Sequence, residues 1–288
     1  MKKILLIGKT GQLGRELMKD AFSFGFEVSG FEKEELDVTR ESEVREHIEH
    51  TKPDIVINAS AYNLVAKSEE SPLSAMELNF LAVSKLARIC KEKNITFITY
   101  STDYVFDGRK GEPYEEHDEP NPLQMYGMSK LAGESAAAAS YPEGTFIIRT
   151  CGLYGGKEGS PDKGNFVLNI MKEAHEKNVI EVSFEQIVNP TYAADLSQAT
   201  LKLLQAKADA GIYHLANEGE CSWYEFTREI FTLSGIDTKV KPVDRGGQSG
   251  KMKRPKFSAL KNEKGKSLGI TLPSWQEGLK SYINFLKK

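Results

Sequence analysis

Lys3-Ile4-Leu5-Leu6-Ile7 runs without a break into Gly8-Lys9-Thr10-Gly11-Gln12-Leu13-Gly14. The apolar run is short, β-rich and closed by glycine, which reads as a buried strand. A helical pattern follows, with Leu13, Leu17, Met18, Ala21 and Phe22 on one face. Strand, glycine turn and helix in that order are the context a dinucleotide site requires. Glycines permit the tight turn and let backbone N–H groups approach a pyrophosphate at the helix N-terminus. The spacing is GxxGxxG rather than GxGxxG, so its place at the first strand–helix junction carries the reading more than the triplet does.

Outward from there the alternation repeats. Glu27 to Phe31 reads as a second strand ending in Glu32 and Lys33. Glu32 lies where an acid meets an adenosine ribose, and Lys33 where a cation meets a 2′-phosphate, so NAD and NADP both stay open. Leu36-Asp37-Val38 leads into a polar helix through His50, and Asp37 either reaches an adenine or caps a helix starting near Thr39. Pro53-Asp54 opens a strand at Ile55-Val56-Ile57, and the small residues of Asn58-Ala59-Ser60-Ala61-Tyr62 leave room for a ligand. From about Ser74 to Lys91 an amphipathic helix carries Met76, Phe80, Val83, Leu86, Ala87 and Cys90 as a core stripe. Asn79 is its polar exception, facing either the site or a neighbouring turn.

The chemistry lies further on. Thr96 to Tyr100 reads as a strand that delivers Ser101 and Thr102 to its carboxyl end, where open parallel sheets bind ligands. Tyr126 and Lys130 stand four apart at the start of a helix and so share one face. A free phenol titrates near pH ~10, and a neighbouring ammonium is expected to lower it. With a hydroxyl opposite to hold a carbonyl oxygen, the set is a proton-transfer device for a ketone or alcohol. A polar loop over 107–123, an alanine-rich helix over 127–140 and a strand at Thr145 to Arg149 continue the alternation. The expected fold is α/β, a Rossmann-like doubly wound parallel sheet.

Beyond Arg149 the pattern changes. Glycines at 152, 155, 156, 159 and 164 precede a helix over 166–177, a short strand at 179–182, a helix from Asn189-Pro190-Thr191 to about Leu204, and a final strand at Ile212 to Leu215. The remainder reads as a helix from Trp223, a loop, and a tail helix ending in Pro273-Ser274-Trp275. The expected division is a dinucleotide-binding domain over 1–150, with returning segments near 185–216, and a smaller substrate domain over 151–184 and 217–288.

Composition narrows the class. The chain has 288 residues, 38 basic against 41 acidic, a net charge of −3 and 40% hydrophobic residues. No global field points to nucleic acid, and no apolar stretch reaches membrane-spanning length. The N-terminal apolar run stops at Gly8, too short for a signal peptide, so the chain is expected to be cytoplasmic. Cys90, Cys151 and Cys221 lie far apart and form neither a CxxC pair nor a disulfide framework. His47 and His50 sit in a charged segment and read as a solvated face rather than a metal site.

In order along nearly the whole chain, GKTGQLG, LDV, NASAY, STDYVFDG, YGMSK, RTCGLYG, GNFV, NPTYAADL and LPSWQEGL closely resemble the dTDP-4-dehydrorhamnose reductase family, extended short-chain dehydrogenase/reductases. The resemblance implies reduction of the C4 ketone of a nucleotide-linked 6-deoxy sugar by NADPH or NADH. It places Gly8, Gly11, Gln12, Leu13, Glu32, Lys33, Asp37, Val38, Ala59, Ala61, Tyr62 and Asn63 along the cofactor. It makes Tyr126 the proton donor, gives Lys130 the nicotinamide ribose, and puts Thr102 on the substrate carbonyl with Asp103 beside it. Of the cations at Lys251, Lys253, Arg254 and Lys256, Arg254 is the one expected at the sugar's diphosphate, because guanidinium matches phosphate bidentately. Some relatives dimerise around Mg²⁺; Glu16 alone defines no such site here, no metal site is assigned, and monomer and homodimer both stay open.

Two stretches depart from the family. Arg149-Thr150-Cys151-Gly152 stands where relatives read RTSW, so an aromatic against the sugar is missing and a wider pocket is expected at Gly152. Val65-Ala66-Lys67-Ser68-Glu69 stands where they read VDKAE. The alternatives these leave are a reductase of a UDP-linked 2-acetamido-4-keto-6-deoxy hexose and a non-catalytic NADP-binding regulatory subunit. A 4,6-dehydratase is disfavoured, since its Asp-Glu pair is Asp103-Tyr104 here.

Overall fold

The computed structural model describes residues 1–160, 164–206, 208–249 and 252–288. Six parallel strands form its main sheet: β1 (Lys2–Ile7), β2 (Phe26–Phe31), β3 (Ile55–Asn58), β4 (Thr96–Thr102), β5 (Thr145–Thr150) and, after a long excursion, β8 (Gly211–His214). Their order is β2-β1-β3-β4-β5-β8, so the winding reverses between β1 and β3. That reversal opens a crevice at the carboxyl ends of the strands.

Side-chain alternation in β1 builds both layers at once. Ile4 and Leu6 join a core with α1 (Gln12–Asp20) and α8 (Ala193–Gln205), while Leu5 and Ile7 join one with α2 (Glu41–Thr51) and α5 (Ala82–Lys93). Burial on both faces is why the strand reads as an unbroken apolar run. Between β3 and α5 lie α3 (Val65–Glu70), α4 (Pro72–Met76) and a π-turn over Glu77–Leu81; α6 (Met125–Ser140) packs against that turn and α5.

The rest of the chain carries α7 (Phe166–Glu176), β6 (Val179–Ser183), β7 (Ile187–Val188), β9 (Cys221–Ser222), α9 (Trp223–Ser234), β10 (Lys239–Val243), β11 (Gln248–Ser249), β12 (Met252–Lys253), α10 (Glu263–Ser267) and α11 (Trp275–Leu286). α10 packs on β8 of the main sheet, while α7, β6, α9, β10 and α11 close around a third core. Its centre is aromatic: Tyr154, Tyr192, Phe226, Trp275 and Tyr282 are all buried there. Among the described residues no helix is long and apolar enough to cross a membrane.

Four expectations need correction. Phe22 is 78% exposed because α1 ends at Asp20 and tightens into a 3₁₀ turn that changes the helical phase, and Met18, within α1, is 37% exposed at the edge of its buried face. In the 74–91 stripe the π-turn adds a residue and rotates everything before it, so Ala75 and Asn79 are buried while Met76 and Phe80 are only partly so. Pro273-Ser274-Trp275 begins the tail helix: Ser274 caps it in a reciprocal box with Glu277. The strand at 211–214 is the last of the main sheet but not of the chain, since four short ones follow.

Candidate active site

A cleft of about 480 Å³ runs along the carboxyl ends of the strands. At one end, Gly8 holds φ at +88°, a left-handed conformation that favours glycine. Gly14 packs so closely that an added Cβ would stand 2.1 Å from the Gly8 carbonyl oxygen. Gly11 is the N-cap of α1 and offers no side-chain cap, which leaves the first-turn N–H groups facing the cleft edge without intrahelical partners. Such an N-terminus fits a pyrophosphate.

Of the residues expected along a cofactor, Gly11, Gln12, Leu13, Ala59, Ala61 and Asn63 line the cleft. The others do not. Gly8 works from behind, where its own missing Cβ allows contact with Ala59 and Ser60. Val38 is a core residue between sheet and helices. Tyr62 is fixed through its backbone: its N–H donates to Asn79 Oδ1 at 2.8 Å, and its carbonyl accepts from Asn79 Nδ2 at 3.1 Å. Asn79 Nδ2 also donates to Ser129 Oγ, tying this loop to α6. Glu32 and the exposed Lys33 stand just past β2, beyond the cleft lining. Asp37 accepts from the Thr39 amide and hydroxyl in a local turn; α2 starts later, at Glu41, and is not capped by it.

The middle of the cleft holds Thr102, Asp103, Tyr126 and Lys130. Gln124 Oε1 accepts from the Gly127 amide at 2.7 Å and Glu69 Oε1 from the Met125 amide at 2.8 Å, so two side chains satisfy the N-terminus of α6 just where Tyr126 leaves it. Thr102 donates to Asp103 Oδ1 at 3.1 Å, and Ser258 Oγ donates to Asp103 Oδ2 at 2.6 Å. Among the described residues no cation pairs with Asp103; burial drives its carboxyl toward the neutral form, against the bonds from Ser258, Cys151 and Thr102.

The expected lowering of Tyr126 by Lys130 is absent. Burial raises the phenol, Asp103 adds to the rise, and the hydrogen-bonded Thr102 hydroxyl only partly offsets it. The ammonium is itself buried, which brings Lys130 down to about 8 against the support of Glu134. At Lys130 desolvation outweighs the neighbouring charge, and at Tyr126 desolvation and the Asp103 charge act together.

At the far end Arg254 lines both the cleft and a hollow of about 220 Å³ that also holds Arg109, Lys253 and Lys256. Its Nε is buried with no partner among the described residues. Lys251 lies outside the described residues. Gly152 lines the cleft, and the Cβ it lacks would meet Pro190 and the Trp223 ring at 3.2 Å, so a ring from elsewhere in the chain stands beside it. Trp223 packs on Phe166 at 4.4 Å between ring centres, and both line the cleft.

Some lining residues were given no role from the sequence. Asn165 Nδ2 donates to Gln12 Oε1, the Gly155 carbonyl and Tyr282 Oη, joining the glycine turn to α11. Ser101, expected at the strand end, and Thr150 lie near the carboxyl ends of adjacent strands with buried hydroxyls that lack partners among the described residues. The S-x-x-E spacing at Ser222 could have flagged the helix that Trp223 begins.

The model of the RmlD substrate binding domain matches residues 1–288. The chain belongs to that family. The Bacillus subtilis spore coat polysaccharide biosynthesis protein SpsK is 35% identical over 283 residues, covering 98% of this chain and 97% of that one. A crystal structure of a Clostridium acetobutylicum dTDP-4-dehydrorhamnose reductase superposes with a TM-score of 0.93 at 37% identity, over 99% of this chain and 100% of the other. The Bacillus anthracis dTDP-4-dehydrorhamnose reductase, solved in complex with NADP, gives 0.92 at 32% identity over 100% and 99%. The family likeness thus spans both the parallel sheet and the aromatic core.

Proposed function

We propose that the protein is an NAD(P)H-dependent nucleotide-sugar 4-ketoreductase that converts dTDP-4-dehydro-L-rhamnose to dTDP-L-rhamnose, with NADPH as coenzyme. The observation that carries the reading is the joining of Thr102, Tyr126 and Lys130 with the glycine turn in one cleft. The NADP complex of the B. anthracis relative supports the coenzyme. Residues 1–150 with 185–216 act as the dinucleotide-binding part, and 151–184 with 217–288 as the substrate part.

The N–H groups following Gly11 hold the pyrophosphate, with Gln12, Leu13, Ala59, Ala61 and Asn63 along the dinucleotide. Lys33, exposed past β2, meets the 2′-phosphate, and Glu32 and Asp37 flank the adenosine. Bound NADPH supplies the hydride to C4 of the sugar. The Thr102 hydroxyl and Tyr126 phenol hold the ketone oxygen, and Tyr126 gives it a proton as negative charge develops there. A phenol raised by burial is protonated at neutral pH, as a donor must be. Lys130 holds the ribose and stabilises the phenolate that the transfer leaves. Arg254, whose Nε has no other described partner, pairs with the diphosphate, Asp103 lies beside the sugar, and Trp223 walls the pocket near Gly152.

The test follows NADPH absorbance with the dTDP 4-keto-6-deoxy sugar beside its UDP-linked 2-acetamido counterpart. Rapid loss with the dTDP compound is expected. Loss only with the UDP compound moves the specificity, and tight NADPH binding with no loss on either makes the chain a regulatory subunit.

A further inference from the structure

Tyr126, Lys130 and Glu134 follow one another at i, i+4 and i+8 down one face of α6, and the chemistry above leaves the third unused. Lys130 is 5% exposed and Glu134 4%. The carboxylate one turn below the buried ammonium is taken by another group. Arg149 on β5 donates from Nε to both oxygens of Glu134, at 3.0 and 3.2 Å, and from Nη2 to one of them at 2.7 Å. The guanidinium carbon lies 5.1 Å from the centre of the Phe106 ring, so the fork is held by stacking as well as by hydrogen bonds. Desolvating both partners of a buried pair offsets most of their attraction, so fold stability is a weak account of why this one lies beneath the site.

Burial works against charge on the other titratable groups around Lys130. Across the cleft, burial raises the phenols of Tyr100 and Tyr104 and drives Asp103 toward its neutral form; on the same helix burial raises Tyr126. His214 on β8, the sheet neighbour of Arg149, is pushed down to about 3 by burial and then by Arg149 itself, and so is neutral. Arg254 is the other cation lining the cleft among the described residues. Glu134 is the carboxylate whose charge opposes the burial of Lys130.

We propose that Glu134 is a positioning residue of this site: its charge keeps the Lys130 ammonium in place at neutral pH, and Arg149 clamps the carboxylate so that it cannot capture that ammonium. Without the clamp, a flexible carboxylate one turn away would pair with Lys130 and draw it from the coenzyme and Tyr126. Without the carboxylate, burial and the Arg149 charge together would strip the proton from Lys130 at lower pH.

Lys130 has its role only under the reductase reading, so the test reads the ammonium directly as well as through turnover. Protein labelled with carbon-13 at lysine Cε is titrated by NMR, with the Lys130 signal assigned by its loss in Lys130→Met. NADPH-dependent turnover is followed over the same range. Glu134→Gln keeps the shape and removes the charge; the Lys130 titration and the alkaline limb of kcat both move to lower pH, by about one unit. Arg149→Lys loses the two-point grip; the Lys130 titration moves to higher pH while kcat falls throughout. Opposite directions in the two variants are what a merely structural pair would not produce. If Glu134→Gln fails to fold, the double variant Glu134→Leu with Arg149→Met removes both charges, and a smaller downward move is expected there, since the Arg149 charge leaves with the carboxylate. A Lys130 titration that superposes on the parent's in the folded charge-removal variant overturns the proposal whatever the activity. One that stays or falls in Arg149→Lys overturns the clamp. A parent that titrates as described yet reduces no nucleotide sugar overturns the reductase reading instead.

Discussion

At one end of the cleft the turn that Gly8, Gly11 and Gly14 shape presents main chain; at the other, Trp223 and Arg254 present side chains drawn from segments far apart. The first end comes from a single turn of chain, and what it offers a ligand is peptide N–H groups, which any sequence with the right glycines can present. The second exists only after the third core has folded against the main sheet. A main-chain site tolerates little change in shape but almost any change in neighbouring side chains. A side-chain site behaves the other way, and specificity can drift there while coenzyme binding persists. The middle of the cleft, where Tyr126 leaves α6, belongs to both ends.

Breaking the middle should have the largest effect. Tyr126→Phe removes the proton donor and is expected to lower kcat by about 10²–10⁴ with NADPH affinity nearly unchanged, as read by steady-state kinetics and coenzyme titration. Full retained activity would sink the donor assignment. The main-chain end is tested by Gly14→Ala, whose Cβ would stand 2.1 Å from the Gly8 carbonyl oxygen. Overpacking there costs about 1–3 kcal/mol, and calorimetry should show a lower Tm alongside weakened NADPH binding. Unchanged binding in that variant would mean the turn does not hold the coenzyme.

Two smaller effects sharpen the contrast. Burial brings Lys130 down to about 8, so its ammonium is present below that pH and lost above it. Turnover should therefore decline on the alkaline side by about tenfold per unit past the limb. A pH profile whose limb matches an unperturbed lysine would remove Lys130 from the rate. Arg254→Lys keeps the charge but loses bidentate geometry; KM for the nucleotide sugar should rise by about 5–10-fold while NADPH affinity stays. A loss of coenzyme affinity instead would erase the division between the ends.

Much of the fold was legible because burial on both faces makes parallel strands read as apolar runs, and those at 3–7, 55–57, 96–100 and 145–149 all lie within strands of the main sheet. Misreadings fell where local geometry departs from a constant period. Phe22 lies in a 3₁₀ turn, and Met76 and Phe80 precede or occupy a π-turn, so a steady helical wheel put them on the wrong side. In the site, Tyr126 and Lys130 were readable as an i, i+4 pair, and the glycine turn as a motif. Their environment was not: spacing predicted that Lys130 would lower Tyr126, whereas burial of both groups reverses the balance.

What the sequence alone determined is whatever depends on neighbours along the chain: strand and helix order, the turn at 8–14, and the face shared by Tyr126 and Lys130. Only the tertiary structure decided which distant groups meet. It brought Ser258 onto Asp103, the Trp223 ring into the space beside Gly152, and Arg149 onto Glu134. Local periodicity carries no information about contacts between one element and another, and the charges at the site follow from burial, which exists only once those elements have closed over it.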